Sequence, residues 1–299
     1  MEQALPFLIL LVAGQIMRRI PGFPVDTDRS LNLYVIYVAL PAMVLVQVPK
    51  LVLSSELLAP LMIPWLVVLV SGSLVWLLCR VLGWSRQITG ALLLMVPLGN
   101  TSFLGIPMVE MFFGSPGVKY AILYDQFGSF LALSTYGTFI LAVYGGGEKP
   151  SWNKTGRKIV LFPPFIALVA ALVLRSVVFP VWLVSMLEVT ARSLVPVVLV
   201  AIGFQMRLRM PVSELLPFTA GLTIRLAVAP LIFILACRLA GLTGPAIQVS
   251  LFETAMPSMV TAGAMASIAG LEPRLTSALV GYGILVSFIT LPVIFRLIA

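Results

Sequence analysis

Apolar runs broken by short polar stretches fill the chain from end to end. They fall at Leu5–Met17, Leu31–Val48, Leu57–Cys79, Gly90–Phe113, Val118–Tyr144, Ile159–Leu174, Trp182–Gln205, Leu215–Cys237, Pro245–Ala269 and Leu275–Leu297. A helix needs roughly 20 mainly apolar residues to cross the hydrocarbon of a bilayer, and most of these runs come close to that. The first and sixth are short. The longest polar stretch, Gly145–Lys158 (GGGEKPSWNKTGRK), lies near the middle and reads as a linker. The pattern predicts an all-α membrane protein of ten transmembrane helices, five in residues 1–144 and five in 159–299, joined by 145–158.

Composition agrees. Of 299 residues 60% are hydrophobic and only 10% charged, with a mean hydropathy of +1.10, whereas soluble domains carry about 25% charged residues. No soluble domain is left over. The net charge of +8 does not point to nucleic acid, because the basic residues sit mostly between apolar runs. There they set orientation. The odd-numbered loops hold Arg18, Arg19, Arg29, Arg80, Arg86, Lys149, Lys154, Arg157, Lys158, Arg207, Arg209 and Arg274. The other side holds Lys50, Lys119, Arg175, Arg238 and Arg296. The richer side is expected to be cytoplasmic, so both termini lie outside the plasma (inner) membrane. Glu2 replaces a basic leader region and Arg18-Arg19 follow the first apolar run, so no cleavable signal is expected.

The halves look duplicated. Pro6-Phe7 recurs as Pro164-Phe165, Cys79-Arg80 as Cys237-Arg238, Gly83 as Gly241 and Gly105 as Gly263, each 158 residues apart. Pro60 to Pro217 and Pro116 to Pro273 repeat at 157, and Pro41 to Pro196 at 155. Each half holds an odd number of helices, so the second must enter the membrane upside down. Inverted repeats of this kind mark transporters, with the site near midplane where discontinuous helices meet.

Two spans carry such interruptions. The fourth contains Val96-Pro97-Leu98-Gly99-Asn100-Thr101-Ser102-Phe103-Leu104-Gly105-Ile106-Pro107. Pro97 and Pro107 each remove a helical hydrogen bond, Gly99 and Gly105 loosen the backbone, and Asn100, Thr101 and Ser102 suit the cap of a restarted helix. In the second half, Pro257 and Gly263 interrupt the ninth span, and Ser258 stands at the offset equivalent of Asn100. Packing kinks are the plainer account of any single proline or glycine in a membrane helix. Their paired location favours function. A restarted helix offers unpaired N–H groups and about half a positive charge, suited to a carboxylate. Asn100, Thr101, Ser102, Pro257 and Ser258 are therefore the candidate substrate residues, and the expected partner is a small organic anion.

The segments LYVIYVALPAMVL (Leu33–Leu45), GNTSFLGIPM (Gly99–Met108), YDQFGSFLALSTYG (Tyr124–Gly137) and AMPSMVTAGAMA (Ala255–Ala266) resemble the auxin efflux carrier family in its short bacterial form, over essentially the whole chain. The Asn-x-x-x-x-Gly-x-Pro element is here Asn100, Gly105 and Pro107. The resemblance implies a scaffold of the first, second, sixth and seventh helices (1–49 and 159–206). It implies a mobile transport domain (57–144 and 215–299) around two crossing broken helices, the fourth and ninth. A homodimer through the scaffold helices is a further expectation. The fold would be similar to that of bile acid:sodium symporters and sodium/proton antiporters. Plant members export auxin anions, and several bacterial members are assigned to malate or malonate. Plant carriers have a long regulatory central loop where this chain has only Gly145–Lys158, so phosphorylation of that loop is not expected.

Ionisable residues at membrane depth cost several kcal/mol unless paired or hydrated, which makes each a functional candidate. Glu253 immediately precedes the ninth-span break, within reach of a cation held by freed carbonyls. Asp125 lies in the fifth span. Either would bind sodium or carry a proton, with structural pairing to an Arg or Lys as the bland account. Arg225 in the eighth span would pair with one of them or contact the anion. Glu188 and Arg192, four apart, read as a local ion pair, and Glu110 as reaching water. Gln15, Asn32 and Gln47 either line the scaffold or bond helix to helix.

Other classes fare worse. A channel predicts rings of like charge or a filter loop, and none is visible. An enzyme lacks support: the chain has no histidine, no convincing Ser-Lys pair and no metal cluster, and Cys79 and Cys237 sit at span ends without ligand spacing. No cofactor is expected beyond a sodium ion or proton as coupling ion. The runner-up is a sodium-coupled symporter of the bile-acid type.

Overall fold

The computed structural model describes residues 5–47, 49, 58–146, 161, 163–174, 177, 179–205 and 212–298. The described secondary structure is helical: α1 (Leu5–Met17), α2 (Thr27–Val46), α3 (Leu58–Leu82), α4 (Arg86–Met95), α5 (Thr101–Phe113), α6 (Pro116–Tyr144), α7 (Pro163–Val173), α8 (Val181–Phe204), α9 (Glu214–Leu239), α10 (Pro245–Thr254), α11 (Val260–Ile268) and α12 (Pro273–Ile298). Six of them, α2, α3, α6, α8, α9 and α12, are long and apolar enough to cross a membrane. The expectation of ten spans is thus met in part. Among the described residues α1 and α7 are short, and the fourth and ninth runs are each split into two half-helices, α4–α5 and α10–α11. The expected linker beyond Gly146 lies outside the described residues, as do Lys50, Lys149, Lys154, Arg157, Lys158, Arg175, Arg207 and Arg209.

Helix ends differ from the apolar runs where polar residues extend a helix. The second helix begins at Thr27 instead of Leu31, with Asp28 in its first turn, where a carboxylate complements the helix dipole. Ser85 caps α4 by accepting from the Ile88 N–H at 3.2 Å.

Helices α1, α2, α7 and α8 pack on one another, and the remaining helices form a second group that meets them where α2 and α8 lie against α11, α8 against α12 and α7 against α6. The α1–α8 contact is backbone on backbone. A Cβ added at Gly14 would stand 2.2 Å from the Val200 carbonyl oxygen, and one at Gly203 would stand 2.1 Å from that of Leu11. Gln15 fastens the same seam by donating to the Gly203 carbonyl at 2.6 Å, a helix-to-helix bond. Asn32 is buried on α2, with no hydrogen-bond partner for its amide among the described residues, while the Gln47 side chain lies outside them. Because backbone cannot yield as a flexible side chain can, Gly203→Ala should part the helices and destabilise by about 1–3 kcal/mol. A thermal melt in detergent reads this, and an unchanged midpoint would contradict so close an approach.

Candidate functional site at the crossing of two broken helices

The first break follows from proline chemistry. Pro97 has no N–H, so the Leu93 carbonyl loses its donor four residues on. The Tyr136 hydroxyl of α6 replaces it at 2.7 Å. In the second break Pro257 likewise deprives the Glu253 carbonyl, and the Met256 N–H folds back onto it at 3.2 Å, tightening the last turn of α10. The two interruptions then pair with each other. The Asn100 N–H donates to the Pro257 carbonyl at 2.8 Å, and the Met259 N–H to the Leu98 carbonyl at 3.0 Å. Gly99 stands opposite Ser258 in an isolated antiparallel bridge. Backbone that has left a helix at membrane depth is thereby satisfied within the protein. Of the residues expected to interrupt the helices, Pro97, Gly99 and Pro257 lie in these segments, while Gly105, Pro107 and Gly263 lie inside the restarted helices.

Arg225 of α9 is 1% exposed and binds both breaks at once. Its Nε donates to the Met256 carbonyl at 2.6 Å, and its Nη1 to the Val96 and Pro97 carbonyls at 3.1 and 3.2 Å. These oxygens lie at or just past the C-terminal ends of α10 and α4, each carrying about half a negative charge. Gly99 makes room: a Cβ there would stand 2.0 Å from Arg225 Nη2. Sequence reasoning offered a carboxylate or the substrate as the partner of Arg225. The structure gives it main-chain carbonyls.

Two carboxylates lie near the same segments. Asp125 of α6, 6% exposed, accepts hydrogen bonds from the Thr101 hydroxyl at 2.6 Å and from that of Ser102, tying α6 to the first turn of α5. Glu253 is fully buried, and neither of its oxygens has a hydrogen-bond partner among the described residues. It presses on α5 where Gly105 leaves space: a Cβ there would stand 2.2 Å from Glu253 Oε2. Glu253 feels the charges of both Asp125 and Arg225. Phe112 and Phe113 of α5 pack tilted or edge-on against Phe252 of α10 and Phe295 of α12 with ring centres 5.0–5.3 Å apart.

Where α5 and α11 restart, the Asn100 side-chain amide and the Ser258 hydroxyl are buried without a partner among the described residues. Such atoms in a native structure ask for an explanation. Asn100, Ser102, Met259 and Thr261 line a cavity of about 10 Å³, closed from the α2 side by Met43 and from α6 by Phe130 and Leu133. That is about the room of one water. Thr101, Asp125 and Arg225 each lie on a stretch of wide, π-type helical turn, a feature frequent at functional sites.

Residues expected to be bystanders behave as such. Arg192 and Glu188 approach to 4.0 Å on an exposed face, and Glu110 is exposed. No group of three or more Cys, Asp or Glu side chains among the described residues is placed to hold a metal ion. Sequence reasoning missed the capping role of Tyr136 and the apolar wall of Met43, Phe130 and Leu133. The orphaned Leu93 carbonyl, implied by Pro97, was the available signal for the first; for the second there was none.

Comparison with known proteins places the chain in a family. The chain is 27% identical over 304 residues to an uncharacterized transporter of Methanothermobacter thermautotrophicus, covering 97% of this chain and 96% of that one. It is 27% identical over 287 residues to an uncharacterized transporter of Methanocaldococcus jannaschii, covering 93% and 92%. The family described as membrane transport protein matches residues 1–295. The chain therefore belongs to this membrane transport protein family, that of the auxin efflux carriers which its motifs resemble, and is an integral membrane protein.

Proposed function

We propose that this protein carries a small organic anion, a carboxylate such as malate, malonate or an auxin-like acid, across the inner membrane by alternating access. In this reading the chain forms ten spans in two inverted five-helix repeats, with both termini outside. Residues 1–49 and 159–206 form the scaffold, and 57–144 and 215–299 move against it. The mutual packing of α1, α2, α7 and α8 supports that division. One observation carries the substrate class: the Asn100 amide and Ser258 hydroxyl, without a partner among the described residues, at two helix starts whose dipoles favour negative charge.

Coupling falls to Glu253 and Asp125. A sodium ion would need the carbonyls freed at the breaks, and Arg225 already donates to Met256, Val96 and Pro97. The fixed guanidinium thereby supplies at those carbonyls the positive charge that a bound cation would bring. The proton is therefore the better coupling ion, with Glu253, buried and without a hydrogen-bond partner among the described residues, as its carrier.

A thermal-shift screen of carboxylates, with and without sodium, tests the substrate class. Small mono- and dicarboxylates should stabilise the purified protein, and sodium should add nothing. Hydrogen bonds to charged groups are worth about 1.5–3 kcal/mol, so Asn100→Ala should weaken carboxylate binding about tenfold or more while leaving the ligand-free melt unchanged. Stabilisation by cations or neutral solutes only would refute the reading.

A further inference from the structure

A second site lies away from the crossing, on the outer face of α3 and α6. Trp65, Leu69 and Trp76 of α3 and Tyr136 and Phe139 of α6 wall a groove of about 540 Å³, opened by the small residues Gly72 and Ser73. Leu69, Trp76 and Phe139 are among the large apolar side chains left exposed, as suits a surface facing acyl chains. The floor reaches the broken helix. Leu93 lines it, and the Tyr136 hydroxyl on its wall closes the carbonyl that Pro97 orphans.

One end of the groove is cationic. The Arg80 guanidinium sits 5.2 Å over the Trp76 ring. The Arg86 guanidinium sits 6.0 Å over the Tyr144 ring and donates to the Val143 carbonyl. Trp76, Tyr144 and Val143 all line the groove, and no acidic residue does among those described. Two guanidiniums stacked on aromatic rings at the mouth of an apolar slot match an anionic phospholipid, with its acyl chain along α3 and its phosphate between the arginines. Basic pockets between membrane helices take such head groups, and aromatic rings mark the level at which they sit.

We propose that this groove is a binding site for one anionic phospholipid of the leaflet on the Arg80–Arg86 side. Its acyl chain lies against Tyr136, one hydrogen bond from the first break, so occupancy stiffens that break. The claim rests on membrane residence alone and not on the identity of the transported anion.

Native mass spectrometry of the detergent-purified protein, titrated with phosphatidylglycerol or phosphatidylcholine, tests it. An arginine near the membrane surface is worth about 1 kcal/mol for an anionic lipid, which is about fivefold in affinity. Wild-type protein should retain one phosphatidylglycerol in preference to phosphatidylcholine. Arg80→Gln, an exposed position, should cut that preference about fivefold, and Ser73→Trp, which fills the slot, should remove the retained lipid. Both variants should melt no lower than lipid-stripped wild type. Equal retention of the two lipids by the wild type, or wild-type retention of phosphatidylglycerol by both variants, would overturn the proposal.

Discussion

Glu253→Gln should abolish ion-dependent accumulation of the substrate while sparing substrate exchange. The substitution keeps the shape that packs against Gly105, where there is no room for extra bulk, and removes the only atoms of that side chain able to take up a proton. Glu253 makes no hydrogen bond among the described residues, so the amide forfeits no existing contact. Exchange needs only the substrate-loaded carrier to reorient, and the neutral Gln stands in for the protonated Glu253 with which that step occurs. Uptake in proteoliposomes under an imposed pH gradient should fall to the equilibrium level, with counterflow within about twofold of wild type. A mutant that still accumulates substrate, with unchanged pH and sodium dependence, would make Glu253 structural. Asp125, held by Thr101 and Ser102, would then be the next residue to test.

Arg225→Met should have the largest effect on the protein itself. The substitution leaves the Met256, Val96 and Pro97 carbonyls buried with no donor. Each buried polar group stripped of its partner costs about 1–3 kcal/mol. The loss thus reaches several kcal/mol, a large part of the usual net stability of a folded protein. It also removes the buried cation held at the two helix C-termini. The expected result is loss of the monodisperse peak in size-exclusion chromatography, or a melt lowered by ten degrees or more. Arg225→Lys should recover little, because an ammonium cannot reproduce the fork that reaches both breaks at once. A well-folded Arg225→Met protein with wild-type melting would show that the breaks hold together without it.

Much of this arrangement was legible beforehand. Proline positions told where the fourth and ninth apolar runs would break, because a missing N–H acts locally. Hydropathy likewise marked the long helices, since crossing a bilayer is a demand on composition. What pairs with what was not legible. That the Asn100 N–H meets the Pro257 carbonyl, across 157 residues of sequence, depends on how the halves dock. Nor does the sequence say that Arg225 serves carbonyls, since an arginine in an apolar helix fits a carboxylate equally well. Asp125 shows the same limit. Its depth marks it as a candidate, but its bonds to Thr101 and Ser102 arise from α6 lying beside the first turn of α5. The backbone contact at Gly14 and Gly203 was also silent, because neither glycine sits at a turn or a break and only the partner helix gives it a reason.

Counterflow bears most directly on the central claim, that an organic anion is carried through the crossing by alternating access. Proteoliposomes loaded with millimolar unlabelled malate, or with whichever carboxylate gives the largest thermal shift, would be diluted into a trace of the labelled anion. A carrier draws label in against the label's own gradient, driven by the outward gradient of unlabelled anion, because each site that empties outward returns carrying label. The expected trace is a transient overshoot that saturates with internal substrate and shrinks about tenfold or more in Asn100→Ala. Label entering linearly without overshoot, unaffected by the internal anion and accompanied by ohmic current, would contradict alternating access and mark a channel instead.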